Sequence, residues 1–150
     1  MKLEEELKMR EIQDAHHRAT LNVIFTGAWM SERMNSLLKP FGISEQQYNI
    51  LRILRGQKGK AISLQDISER MVHKMSNTTR LVEKLRVKGL VDRQVCPSNR
   101  RKVDISILPK GLKLLESTSK ELTEMNQSFR NSLSAEEAST LAYLLDKMRD

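Results

Sequence analysis

The stretch from Ser63 to Leu108 limits the possible folds more than any other part of the chain. It holds two short amphipathic segments joined tightly, then two alternating segments around a turn. Ser63 with Asp66 three residues later is a capping-box pattern, which predicts a helix start there, with Leu64, Ile67 and Met71 facing inward and an end near Val72. Val72 to Met75 form a tight connection. In the next segment Thr78, Leu81, Val82 and Leu85 recur at i, i+3, i+4 and i+7, the core face of a second helix. Gly89 suits the left-handed position that ends such a helix, and Lys88 complements the negative end of its dipole. Leu90 to Val95 and Lys102 to Leu108 then flank a turn at Cys96-Pro97-Ser98-Asn99. Val103, Ile105 and Ile107 alternate with Lys102, Asp104 and Ser106, the period of a half-buried strand. The expected fold class is mainly α with a small β wing: a winged helix-turn-helix.

With Thr78, Leu81, Val82 and Leu85 inward, Ser76, Asn77, Arg80 and Lys84 fall on the opposite face, with Thr79 beside them. Short hydrogen-bonding side chains followed by long cations suit a helix lying in the DNA major groove, where N-terminal residues reach base edges and later cations meet phosphate. Ser76, Asn77, Thr79 and Arg80 are therefore the expected base-reading set, and Lys74, Lys84 and Arg100 the expected phosphate contacts. Arg100 and Arg101 are placed at the tip of the ribbon. There adjacent guanidiniums can follow the backbone, or one can enter a narrow minor groove.

These residues, from Tyr48-Asn49-Ile50-Leu51 through Ser76-Asn77-Thr78-Thr79-Arg80-Leu81-Val82 and Lys88-Gly89-Leu90-Val91 to Asn99-Arg100-Arg101 and Lys110-Gly111, resemble the MarR family of winged-helix transcriptional regulators. The resemblance implies that Arg101 is the minor-groove arginine of the wing. It also implies control by a small-molecule effector, often a phenolic or other amphipathic compound. Two positions depart from the family pattern. Asn99 stands where an Asp usually precedes the wing arginine by two residues, so the expected brace on the guanidinium is a neutral hydrogen bond. Leu108 stands where a Thr usually caps the next helix, leaving Pro109 as its start signal.

The remaining segments are helical by pattern. Lys2 to Leu38 is expected to form helix, most strongly where Leu21, Ile24, Phe25, Ala28 and Trp29 repeat at threes and fours, ending before Pro40. Ser44 and Gln47 open a further helix carrying Tyr48, Leu51, Ile53 and Leu54 inward. Gln57 to Lys60 is a loop, and its glycines are too closely spaced for a phosphate loop. Beyond the wing, Leu115, Thr118, Leu122, Met125 and Phe129 form a seam along one long helix, and a last helix opens at Ser134 and Glu137 with Ala138, Leu141, Leu145 and Met148 on one stripe. The expected organisation is residues 1–42 as N-terminal dimerisation helices, 43–108 as the DNA-binding domain and 109–150 as C-terminal dimerisation helices. Folding back on the same chain as ordinary core is the alternative use of the terminal apolar faces. A homodimer would place two readers about a two-fold axis, on half-sites about 10 base pairs apart.

Composition narrows the function. A net charge of +7 and a pI near 9.7 favour a polyanionic partner, double-stranded DNA ahead of an anionic membrane surface. Cations crowd the proposed reader, although Glu69 and Glu83 could balance them into an ordinary solvated face. No Ser-His-Asp or Cys-His set, dinucleotide glycine fingerprint or metal-ligand cluster is legible, so neither an enzyme nor a cofactor or metal site is expected. His16 and His17 are adjacent, about 100° apart on a helix, and cannot chelate one ion as an i, i+4 pair would. One cysteine, Cys96, precludes an intrachain disulfide; with no leader-like or membrane-spanning stretch, a cytoplasmic protein is expected. Trp29, Met30 and Met34 are candidates for an effector pocket, while the same spacing equally serves core packing. A winged-helix module that docks protein instead of DNA is the competing function.

Overall fold

The computed structural model describes residues 2–150; Met1, the first residue of the expected N-terminal segment, lies outside them. The chain divides into two compact units, one ending at Glu45 and one running from Gln46 to Asp150.

The first unit holds helix α1 (Leu3–Glu6) and helix α2 (Ala15–Leu38), followed by a 3-10 turn (Lys39–Phe41). The expected continuous helix from Lys2 to Leu38 is therefore broken. Lys8 adopts a left-handed φ of 52°, and Asp14 starts a new helix by accepting the His17 N–H at 2.6 Å. Arg18 grips Glu4 with Nε at 2.5 Å and Nη2 at 3.2 Å, so the first turn is tied back to α2 instead of extending it. At the far end, the Asn35 side-chain oxygen accepts the Glu45 N–H at 2.9 Å and the Ser31 hydroxyl bonds the Glu45 carboxylate.

The second unit carries most of helix α3 (Glu45–Gly56), then strand β1 (Ile62–Ser63), helices α4 (Leu64–Arg70) and α5 (Thr78–Val87), strands β2 (Val91–Cys96) and β3 (Asn99–Ile107), and helices α6 (Pro109–Ser117), α7 (Ser119–Ser132) and α8 (Ala135–Lys147). The sheet is antiparallel in the order β1-β3-β2. Strand β1 is not legible in the sequence, because two residues carry no period; it exists because Ile62 and Ser63 pair with Ile105 and Asp104. Ser63 then caps α4 through the expected box with Asp66, whose carboxyl the Ser63 hydroxyl holds below the usual aspartate range. Helix α4 stops at Arg70, slightly before Val72, because Met71 turns to extended backbone and buries its side chain. Ile50, Leu51, Leu54, Ile67, Val82, Leu85, Val91 and Ile105 are almost wholly inaccessible and form the core.

After Val87 the chain leaves α5 through Gly89 at φ 70°. The Lys110 Nζ donates to the Lys88 carbonyl at 2.9 Å, so a side chain from α6 bonds an acceptor at the end of α5. Beside it, Gly111 is buried so closely that an added Cβ would collide with the Leu90 carbonyl oxygen and lie 2.8 Å from Ile107 Cγ1. Leu108 caps nothing with its side chain, and α6 starts on Pro109 as expected.

The expected single long helix after the wing is two. Thr118, fully buried, separates α6 from α7 and donates its hydroxyl to the Leu115 carbonyl at 2.8 Å. Leu115, Leu122 and Met125 are buried within this one chain, so that part of the seam is not left open for a partner. Open apolar surface lies on α2, where Val23, Ile24, Trp29 and Met30 are exposed, and on α8, which has the expected Ser134–Glu137 capping box and no buried residue; Leu141, Tyr143, Leu144 and Met148 are 47–64% exposed.

Gly111→Ala should destabilise the chain by about 1–3 kcal/mol, the range for forcing a methyl group into a filled site. Urea denaturation followed by circular dichroism checks this; an unchanged midpoint would mean that the α6–β2 junction is loose.

Candidate nucleic-acid interface

Helix α5 begins at Thr78, and its N-cap is Asn77, whose side-chain oxygen accepts the Arg80 N–H at 3.1 Å. Ser76 and Asn77 thus precede the first turn and are not part of its outward face, a correction to the expected row. A capping residue satisfies a backbone donor that the helix cannot, which is why Asn at this position was mistaken for a helical one. Ser76 closes the preceding turn by donating its N–H to the His73 carbonyl at 3.1 Å, and its hydroxyl oxygen is buried with no partner among the described residues.

From Thr78 on, about 100° per residue places Arg80, Glu83 and Val87 opposite the buried Thr78, Val82 and Leu85, with Thr79 and Lys84 on the flanks. Thr79, Arg80 and Lys84 are exposed, and Val87 is 72% exposed. The expected row omitted Glu83 and Val87, although the helical period was sufficient to find both. Arg80, Lys84, Arg100 and Arg101 make no ion pair among the described residues, whereas Arg86 and Arg93 both face Glu83.

The turn into α5 is anchored from α3. Asn49 accepts the Val72 N–H on its side-chain oxygen at 2.9 Å across 23 positions of sequence. Nothing in the local pattern around Asn49 signals this role, because its partner lies far along the chain. Lys74, an expected phosphate contact, has its Nζ 2.5 Å from the Glu69 carbonyl, where it closes the end of α4.

The wing is the β2–β3 hairpin, and its turn is Pro97-Ser98, with Cys96 paired to Asn99. Val95 pairs with Val103, so Arg100, Arg101 and Lys102 fall outside the regular ladder. The two arginines are therefore not at the turn tip; they sit just beyond it, in an irregular bulge on β3 that frees their side chains from cross-strand partners. Asn99 accepts the backbone N–H of Arg101 at 3.1 Å and so braces the main chain, where a bond to the guanidinium was expected. The Cys96 thiol lies 3.1 Å from the Ser98 hydroxyl, which holds its pKa below the usual value.

The remaining candidates lie elsewhere. Trp29 and Met30 are 42% and 44% exposed on α2, Met34 is half-buried, and the Arg33 guanidinium stands 5.4 Å from the Trp29 ring centroid. Neither Trp29 nor Met30 is core in the single chain. His16 and His17 lie in the first turn of α2. Among the described residues no group of three or more His, Cys, Asp or Glu could hold a metal ion, and no helix is long and apolar enough to cross a membrane.

Two short helices joined by an anchored turn, followed by a three-stranded sheet ending in a basic ribbon, define a winged helix-turn-helix protein. The family model described as "MarR family" matches residues 43–103. The multiple antibiotic resistance protein MarR of Salmonella typhimurium is 26% identical over 116 residues, 77% of this chain and 79% of that protein. Among solved structures, the MarR transcription factor from Planctomyces limnophilus is 29% identical with a TM-score of 0.71, covering 91% of this chain and 98% of that one. The S. aureus MepR–DNA complex is 25% identical with a TM-score of 0.74, covering 86% and 94% respectively. Residues 43–103 of this chain are thus similar to the MarR family, and over most of its length the fold is that of solved MarR proteins.

Asn49→Ala should cost about 0.5–1.5 kcal/mol of stability, the usual net worth of one hydrogen bond. It should also speed hydrogen exchange at the Val72 amide relative to the α4 interior. Unaltered exchange at Val72 would show that the turn is held by packing alone.

Proposed function

We propose that the chain is a DNA-binding transcription regulator: a homodimeric, cytoplasmic repressor of a pseudo-palindromic operator, released by a small-molecule effector. The observation that carries this reading is the set of exposed cations without ion-pair partners on one recognition surface, Arg80 and Lys84 on α5 with Arg100 and Arg101 on the bulged wing. Unpaired guanidinium and ammonium groups on a helix and an adjacent ribbon match the geometry of major-groove and minor-groove contact. A relative of similar fold, MepR, is seen in complex with DNA.

In this reading Thr79 and Arg80 meet base edges, Asn77 keeps its amide nitrogen available while its oxygen caps the helix, and Arg101 enters the minor groove. Lys84 and Arg100 meet phosphate. Ser76 shapes the helix entrance, since its hydroxyl oxygen is buried, and Lys74 reaches phosphate only by leaving the Glu69 carbonyl. Residues 43–108 form the reading domain, and residues 1–42 and 109–150 join two copies. The exposed Leu141, Leu144 and Met148 on one side of α8 support the joining role, because such an apolar stripe gains by burial against a second copy. Trp29, Met30 and Met34 are proposed to line the effector site; a ligand that changes the spacing or tilt of the two readers weakens both half-sites together.

The test compares two variants on an operator duplex obtained by selection from random sequence and on a scrambled duplex. Arg80→Ala should lose about 1–3 kcal/mol on the operator and relax preference at one base pair. Lys84→Ala should weaken both duplexes alike and lower the salt slope by about one unit. Identical behaviour of the two variants would overturn the assignment of their contacts.

A further inference from the structure

On the outward side of α5, among cations, stands one carboxylate. Glu83 lies one helical turn from both Thr79 and Val87, on the surface proposed to face a polyanion, where a negative charge opposes binding. Its partners explain what it does there. Arg86 holds it with a fork: Nε lies 3.2 Å and 3.0 Å from the two carboxylate oxygens and Nη2 lies 2.7 Å from Oε1. From β2, the Arg93 Nη1 approaches Oε2 at 3.8 Å. The Arg86 bonds, with a smaller contribution from Arg93, hold the Glu83 carboxyl below the usual glutamate range, so it is ionised at neutral pH.

One carboxylate thus engages two guanidiniums, one on the reading helix and one on the wing. Arg80, Lys84, Arg100 and Arg101 make no such pair. The cations around the reader therefore form two populations, one available to phosphate and one committed to Glu83.

Resting on the DNA-binding reading above, we propose that Glu83 is a positioning residue that withholds Arg86 and Arg93 from phosphate and so limits sequence-independent affinity. Non-specific binding scales with the number of phosphates neutralised, and each contact adds about 0.9 to the slope of log K against log salt. Withholding two guanidiniums lowers affinity for every duplex. It leaves the base contacts of the operator untouched, so they make up a larger share of the total binding free energy.

A double-substitution cycle on the full chain tests this, with salt titrations on a scrambled duplex as the readout. Removing a negative charge by itself would raise affinity without involving Arg93, so the coupling between the two positions is decisive. Glu83→Gln should steepen the slope by about one to two units, one for each released guanidinium. Arg93→Gln should leave the slope unchanged when Glu83 is present and lower it by about one unit when Glu83→Gln is also present. Glu83→Asp, which keeps the charge, should stay near the parent slope. An equal effect of Arg93→Gln in both backgrounds would overturn the proposal while leaving the DNA-binding reading intact. A salt-independent parent chain that does not bind duplex DNA would overturn both.

Discussion

The reader depends on the seat of β3 in the middle of its sheet. Ile105 on this strand is wholly buried, pairs with Ile62 on one side and faces Arg93 across the ladder on the other. Burying one isoleucine is worth about 1.5–3 kcal/mol, and the same strand does more than bury it. Ser63, the cap of α4, pairs with Asp104, and Val91, the first residue of β2, pairs with Ile107. The helix-turn-helix therefore enters and leaves through partners only three positions apart on one strand. Asn49 holds its middle through the Val72 amide, and Lys110 closes the end of α5. Four attachments fix a helix pair too short to be stable alone.

Much of this was legible in the residues. The capping boxes at Ser63 and Ser134, the core face Thr78, Val82 and Leu85, the turn at Gly89 and the ribbon each have a local cause, and local causes leave a local pattern. What was not legible depends on distant partners. Strand β1 is visible only through β3, and the role of Asn49 through an amide far along the chain. The break in the N-terminal helix follows from Arg18 reaching Glu4, two charged residues whose pairing no helical period encodes.

At the candidate site the helix and the ribbon are legible from local pattern, but polar type alone does not separate a capping or buried side chain from a free one. Asn77 is first a cap, the Ser76 hydroxyl oxygen is buried, and the wing arginines stand in a bulge beside the turn. Charge is divided in the same way. Counting cations makes Arg86 and Arg93 equivalent to Arg80 and Arg101, whereas Glu83 sets them apart. Sequence-independent affinity for a polyanion depends as much on cations held back as on cations offered.

The most direct test of the anchored reader as a paired DNA-binding device is a sedimentation-equilibrium and salt-titration measurement of the full chain on its selected operator and on a scrambled duplex of equal length. The account predicts two protomers per operator, a preference of about 10³-fold or more and a steep loss of affinity with salt. Equal affinity for both duplexes across the salt range, or one protomer per operator, would contradict it.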